Sequence, residues 1–263
     1  MNLAKYWQIA KSEFHHELSD SGNSFVGIAI LVVVLFVFLQ IWKTVYGQET
    51  TIEGFTIAQM IWYLAVAEII TFSNASHKVE DINEEVRTGL FSLSLLKPIN
   101  YAYRWLANLF GYGSFVLLFF GSMGLVLAWL FVGTIPFTFS YIPFILIAVL
   151  GALFMNFLFV LIYGLLSFWF EETESLSWIH TKFTFIMGGM FMPYEVYPAW
   201  IQPILHKLPF SYMMYGPAKL FVKFSFADFV HVVLGQLGWI AGLGIIVWWL
   251  HKKGAKAVSV HGG

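Results

Sequence analysis

The chain has 263 residues, of which 59% are hydrophobic, 19% aromatic and 11% charged, with a formal net charge of −1. Globular domains carry about 25% charged residues, so this composition excludes a soluble fold of this size and implies an integral membrane protein. Near-neutral charge gives no sign of a nucleic-acid partner, and the absence of cysteine excludes disulfides, thiolate metal sites and thiol catalysis.

Residues 1–20 predict an amphipathic helix. Leu3, Tyr6, Trp7, Ala10, Phe14 and Leu18 share one face, while Lys5, Ser12, Glu13 and His16 lie elsewhere. Such a helix lies in the membrane interface with its rings at headgroup level, or packs on the protein's own surface. A span needs about 20 apolar residues, and six segments qualify, near 24–46, 55–76, 104–132, 143–170, 176–193 and 227–250. The first is too long for a cleavable signal and lacks a small-residue cleavage site, so it reads as an uncleaved span. Glu68 interrupts the second, and the fifth is short.

Between the second and third spans, residues 77–99 form a charged amphipathic segment. Val79, Ile82, Val86, Leu90, Leu93 and Leu96 recur at helical spacing, and Glu80, Asp81, Glu84, Glu85 and Arg87 take the other face. Further on, residues 188–221 hold Pro193, Pro198, Pro203, Pro209 and Pro217, five of the chain's eight prolines. Proline breaks helices, yet the stretch is apolar and aromatic. Short helices dipping into the outer leaflet fit both facts, because irregular backbone at that depth must be buried or wet. An ordered external cap is the alternative. The tail from Lys252 to Gly263 is expected to be a frayed end, and no repeat or linker divides the single domain 1–263.

An even number of spans puts both termini on one side. That side collects ten basic residues (Lys5, Lys11, Lys78, Arg87, Lys97, Arg104, Lys182, Lys252, Lys253 and Lys256), and the other collects four (Lys43, Lys207, Lys219 and Lys223). The positive-inside rule places both termini in the cytoplasm of a cell-membrane protein. The sequon at Asn74-Ala75-Ser76 then falls on the cytoplasmic side and is not an acceptor.

Catalytic motifs are missing. No GxxxxGK[ST], HExxH, GxSxG or dinucleotide fingerprint occurs, and the histidines are scattered, so neither an enzyme nor a metal site is expected. Glu68 stands apart, since a charge near the bilayer centre costs about 2.5–3.5 kcal/mol on insertion scales. It lines a translocation path or binds a cation there, or it is a hydrogen-bonded strut between helices.

The EVRTGLFSLSLLKPIN pattern at 85–100, the GGMFMPYEVYPAWIQPILHKLPFSY stretch at 188–212 and the six spans behind an interfacial helix resemble ABC-2 type permeases, the membrane subunits of ATP-driven exporters. The resemblance covers nearly the whole chain. It implies an all-α integral membrane fold: six transmembrane helices, an amino-terminal interfacial helix, a cytoplasmic coupling helix, and outer re-entrant helices at 193–221 before the last span. It implies ATPase coupling through Glu80, Asp81, Glu84, Glu85, Arg87 and Gly89. The path, lined by spans two and five, would include Glu68, Phe72, Phe185, Met187, Gly188 and Phe191, and an exit gate would hold Pro193, Tyr194, Pro198, Trp200, Pro209 and Phe210. Two copies of a separate ABC ATPase would bind ATP and magnesium, no cofactor residing in this chain. A second permease subunit, identical or a related sister, would complete the path. A self-contained ion-coupled carrier or channel using Glu68 is the rival; it lacks a second intramembrane charge and related halves.

Overall fold

The computed structural model describes residues 3–19, 21–96, 99–133 and 138–261. Lys97 of the amphipathic segment, residues 1, 2 and 20 of the interfacial helix, the final two glycines and the side chain of Lys256 lie outside this description. With no water available to backbone groups inside a bilayer, a spanning chain of this kind closes its hydrogen bonds in helices. Among the described residues there is no strand.

The helices are α1 (Leu3–Ser19), α2 (Ser21–Tyr46), α3 (Ile57–Phe72), α4 (Lys78–Arg87), α5 (Leu90–Leu95), α6 (Tyr101–Val132), α7 (Ile142–Leu166), α8 (Glu174–Met187), α9 (Gln202–Leu205), α10 (Gly216–Val222) and α11 (Phe226–His261). Among the described residues, four stretches are long and apolar enough to cross a membrane: Phe25–Tyr46, Tyr101–Val132, Phe139–Leu166 and Phe226–Gly254. The second and fifth predicted spans are shorter as helices, 16 residues in α3 and 14 in α8. The tail expected to fray from Lys252 instead continues α11 to His261.

Helix α3 is the hub. Thr56 and Gln59 open it with a reciprocal capping box, and every residue from Met60 to Ile70 is buried. It doubles back along α2: Tyr46 donates to the Phe55 carbonyl at 2.7 Å at one end, and a Cβ on Gly27 would come 3.8 Å from the Phe72 ring at the other. Glycines let α6 approach both neighbours, since a Cβ at Gly124 would meet Ile69 of α3 at 3.0 Å and one at Gly113 would meet Phe157 of α7 at 2.6 Å.

Helix α1 settles one alternative. It packs along the first half of α6, with Tyr6 edge-on to Tyr103, Phe14 edge-on to Phe115, and Gly111 directly beneath the Ala10 carbonyl. Its Leu3, Trp7 and Leu18 point away from the protein.

The proline-rich stretch folds as expected into short pieces: a 3₁₀ turn at Tyr194–Val196, α9, a π-helical turn at Ser211–Tyr215 and α10. In the π turn the Gly216 amide bonds to the Ser211 carbonyl, five residues back. The same step would satisfy Tyr212 from residue 217, but Pro217 has no amide hydrogen. Buried Gln236 of α11 fills the gap, its Nε2 donating to the Tyr212 carbonyl at 2.9 Å and to Ala148 of α7 at 2.7 Å. One amide thus pins the π turn, α7 and α11 together.

Replacing Gln236 by the similarly shaped Met therefore leaves a buried carbonyl unanswered, at a cost of about 1–3 kcal/mol. The expected outcome is a lower unfolding midpoint of the detergent-solubilised protein with its helix content unchanged by circular dichroism.

Candidate functional site

The charged helix α4 presents two different faces. Val79, Ile82 and Asn83 turn inward, and Glu80, Asp81, Glu84 and Arg87 are exposed. Ile82 seats on Gly164 of α7, where a Cβ would come 2.6 Å from its methyl group. Asn83 donates to the Glu171 carbonyl and the Thr173 hydroxyl, both at 3.4 Å, holding the turn between α7 and α8. Glu85, predicted among the docking charges, points back into the protein. Its carboxylate accepts from Arg104 Nη2 and, at 3.3 Å, from Trp105 Nε1, and the guanidinium lies over the Tyr101 and Trp105 rings.

The first residue of α4 anchors it to α1. Lys78 Nζ lies 2.7 Å from Glu13 Oε1, 3.7 Å from Glu17 Oε1 and 3.8 Å from Asp81 Oδ2. Asn108 of α6 donates to the other Glu13 oxygen at 2.6 Å. Burial pushes the Lys78 ammonium down, but the hydrogen-bonded Glu13 carboxylate, with Asp81 and Glu17 nearby, holds it above the ordinary lysine value. Glu17, by contrast, is pushed up by burial, which outweighs Lys78 beside it. Glu13 is therefore the working partner of Lys78. Glu13, His16 and Glu17 bring potential metal-ligand atoms within 4.8 Å of one another, but Lys78 already supplies the cation there.

The segment 77–99 departs from its predicted single helix. Gly89 adopts φ +78°, ending α4 and turning the chain into α5. The register of the apolar face changes across this break. Phe91 is fully buried, edge-on to Tyr101 and Phe168 at 4.6 and 4.7 Å, while Leu90, Leu93 and Leu96 face outward. A strip of leucines thus borders the exposed charges of α4, with Gly89 at the joint.

Of the six predicted path residues, Glu68 is buried within α3, and Phe72, Phe185 and Met187 lie against the surrounding core. Glu68 is 4% exposed, and its Oε1 has no hydrogen-bond partner. Phe72 stacks on Phe120 at 5.0 Å, and Phe72, Phe185 and Met187 pack against the same buried cluster. Gly188 is buried; Phe191 is exposed and lies 5.9 Å from Phe38 of α2. Helix α8 is inside out for a soluble protein. Ser177, His180 and Thr184 are buried, whereas Trp178, Ile179, Phe183 and Ile186 are exposed beside Lys182, whose ammonium sits 4.9 Å over Trp178.

Helix α8 stops early, and tyrosines close its end. Asn74, just past α3, donates to Thr181 at 3.2 Å, so the two helices run antiparallel, and Tyr63 donates to the Gly189 carbonyl at 2.6 Å. At 1.5 Å per residue, Tyr63 stands roughly 9 Å short of the first residue of α3. Tyr197 donates to Ile186 at 2.7 Å and Tyr194 to Met187, capping two carbonyls that the ending helix leaves open, while Tyr63 holds the turn just beyond it. Tyr194 stacks on Tyr215 at 4.0 Å, and Tyr215 donates to Glu195 at 2.9 Å, which also pairs with Lys219 at 2.9 Å. Of the predicted gate residues, Pro193, Tyr194 and Pro209 are buried in this assembly and Phe210 is half-buried, 5.4 Å from His180; Pro198 and Trp200 are exposed. Sequence patterning does not mark Tyr63, Tyr197, Glu13 or Arg104 for these contacts, whereas Glu195 and Lys219 stand out as charges inside an apolar stretch.

A sequence profile described as ABC-2 family transporter protein matches residues 30–260. No curated protein matches the chain in a sequence search.

Lys78→Met strands the Glu13 carboxylate, and breaking a largely buried pair costs about 3–5 kcal/mol. Because Lys78 titrates above its ordinary 10.5 in the folded protein, its contribution is complete below that pH and lost as pH rises through the folded value. Unfolding midpoints of wild type and variant should therefore differ by a constant amount near neutral pH and converge above about pH 10.5.

Proposed function

Because the chain belongs to the ABC-2 transporter family, and is thus the membrane component of an ABC transporter, we propose that it is the permease subunit of an exporter driven by a separate ATPase. In this reading both termini are cytoplasmic, and α3 and α8 complete six crossings with the four longer helices. A second permease subunit faces the first, and two ATPase subunits below bind ATP and magnesium.

The observation that carries the reading is the division of labour on α4. Its exposed Glu80, Asp81, Glu84 and Arg87 are available to a partner, while its other side is fixed to α1 through Lys78, α6 through Glu85 and α7 through Ile82. A push from an ATPase on the outer face would reach three helices as a rigid-body displacement. Gly89 and the outward Leu90, Leu93 and Leu96 extend the docking surface with apolar area, the usual composition of an interface core beside a charged rim. Glu85 has a positioning role instead. At the far end, movement of α3 or α8 would disturb the tyrosine caps and open the Pro193–Phe210 segment as an exit. The phenylalanines and methionines around α8 suit an amphiphilic cargo, since adaptable Met surfaces accept varied shapes.

Reversing exposed charges that lie outside the Lys78 anchor (Glu80→Lys, Glu84→Lys, Arg87→Glu) tests the docking face. Co-purification of an ATPase from gently solubilised membranes should fall by about tenfold or more, since like-charge juxtaposition at an interface costs several kcal/mol and about 1.4 kcal/mol is already tenfold, with the unfolding midpoint nearly unchanged. Retained co-purification would remove α4 as the coupling helix.

The unpartnered Glu68 oxygen is the observation favouring an ion-coupled carrier. Glu68→Gln separates the readings. The exporter reading expects ATP-driven transport to persist and the unfolding midpoint to rise, because a buried amide costs less than a buried carboxylate. Transport lost from a stable variant would favour the carrier.

A further inference from the structure

Three cavities follow one another along α6. The first, about 330 Å³, lies between α1 and α6 and is lined by Trp7, Lys11, Phe14, His15 and Phe110. The second, about 200 Å³, lies between α6 and α7 at Leu117, Leu150, Phe154 and Phe157. The third, about 510 Å³, continues against α3 and α7 through Ile69, Gly121, Leu125 and Val149. Ser114 lines all three, so they form one furrow.

Its chemistry is lopsided. No acidic residue lines any of the three, and the two serines on the α6 wall give their hydroxyls to their own helix, Ser114 to Phe110 and Ser122 to Phe119. The furrow is therefore apolar along its length, with cationic and hydrogen-bonding groups only at the α1 end, on Lys11 and His15 one helical turn apart. From Phe110 to Leu125 it runs roughly 22 Å at 1.5 Å per residue, longer than the ~15 Å of one leaflet of a bilayer core about 30 Å thick. Its middle cavity, at Phe154 and Phe157, is the smallest of the three at about 200 Å³.

We propose that this furrow holds one acyl chain of an anionic phospholipid from the leaflet on the α1 side, with the headgroup seated against Lys11 and His15. The site is separate from the α4 docking face and from the tyrosine-capped end of α8. A bound chain would fill the space between α3, α6 and α7, and the headgroup would tie α1 to the membrane surface.

Native mass spectrometry of the detergent-solubilised protein, titrated with phosphatidylglycerol or phosphatidylcholine of identical chains, tests this directly. One phosphatidylglycerol should be retained about five-fold more tightly than phosphatidylcholine, the worth of one lysine at a lipid surface. Lys11→Gln should abolish that preference and still bind lipid, whereas Ser114→Phe, which plugs the point where the cavities meet, should lose both lipids. Lys43→Gln, at the other end of α2, should behave as wild type. Ser122→Trp, on an exposed position of the same wall, replaces Ser114→Phe if the latter fails to elute as a single folded species. Equal retention of the two lipids, or full retention by the plugged variant, would overturn the proposal. So would oxidative cross-linking of Ser122→Cys to a second copy in this otherwise cysteine-free chain, since the furrow would then be a protein interface.

Discussion

A helix that ends among apolar side chains leaves its last carbonyls without partners, and the distal half of this protein is organised around satisfying them. Tyr194 and Tyr197 donate to the Met187 and Ile186 carbonyls of α8, and Tyr63 donates to the Gly189 carbonyl in the turn just past it. Each tyrosine comes from a different place: the start of the 3₁₀ turn, its far side and the buried core of α3. The caps therefore fix the depth at which α8 stops and also the path of the chain that follows. Tyr194 reaches Met187 with its ring flat against Tyr215, and Tyr215 is in turn held by Glu195 and Lys219. The π turn adds the same kind of constraint, with Gln236 standing in for the amide that Pro217 lacks. Several of the polar side chains in this region thus answer backbone groups, and the Tyr215–Glu195–Lys219 chain holds one of them in place.

The proximal half solves a different problem. Helix α4 is polar, and an isolated ten-residue helix is unstable in water. Its order comes from its contacts: Lys78 on Glu13, Ile82 on Gly164, Asn83 on the α7–α8 turn and Glu85 on Arg104. These anchors are spread around one face and reach four separate segments. Helix α1, which composition alone could not distinguish from a free interfacial helix, is bound into the same cluster through Glu13 and Asn108. Its outward Leu3, Trp7 and Leu18 still offer the apolar side a membrane surface would receive.

Much of this was legible in the residues, because periodicity reports which face is buried. The inward Val79 and Ile82 and the outward Glu80, Asp81 and Glu84 follow directly from helical spacing. The same logic failed beyond Thr88, where the leucines continue the period but Gly89 rotates the next helix so that Phe91 takes the buried position. Hydropathy does not mark the ends of α3 and α8, because the isolated pair Ser73 and Asn74 and the glycines Gly188 and Gly189 end the helices without a long polar run. The closing contacts were out of reach altogether. Tyr63 and Gly189 are separated by 126 positions, and no local pattern marks a tyrosine as the donor for a distant carbonyl.

Helix α3 connects the two halves. Its first two turns touch the distal assembly through Gln59 on the Val222 carbonyl and Trp62 stacked on Phe221. Its last residue touches the proximal cluster, where Tyr112 of α6 donates to the Phe72 carbonyl and lies against His77 just before α4. Buried along nearly its whole length, α3 cannot bend independently of its neighbours without opening voids in a close-packed core. A displacement at the α4 end is therefore more readily passed on as a shift or tilt of the helix than absorbed locally. Such a shift would move Tyr63 relative to Gly189 and so bear on the turn just past α8. The short return turn after Phe72 makes this connection stiff, since only a few residues separate the end of α3 from Lys78.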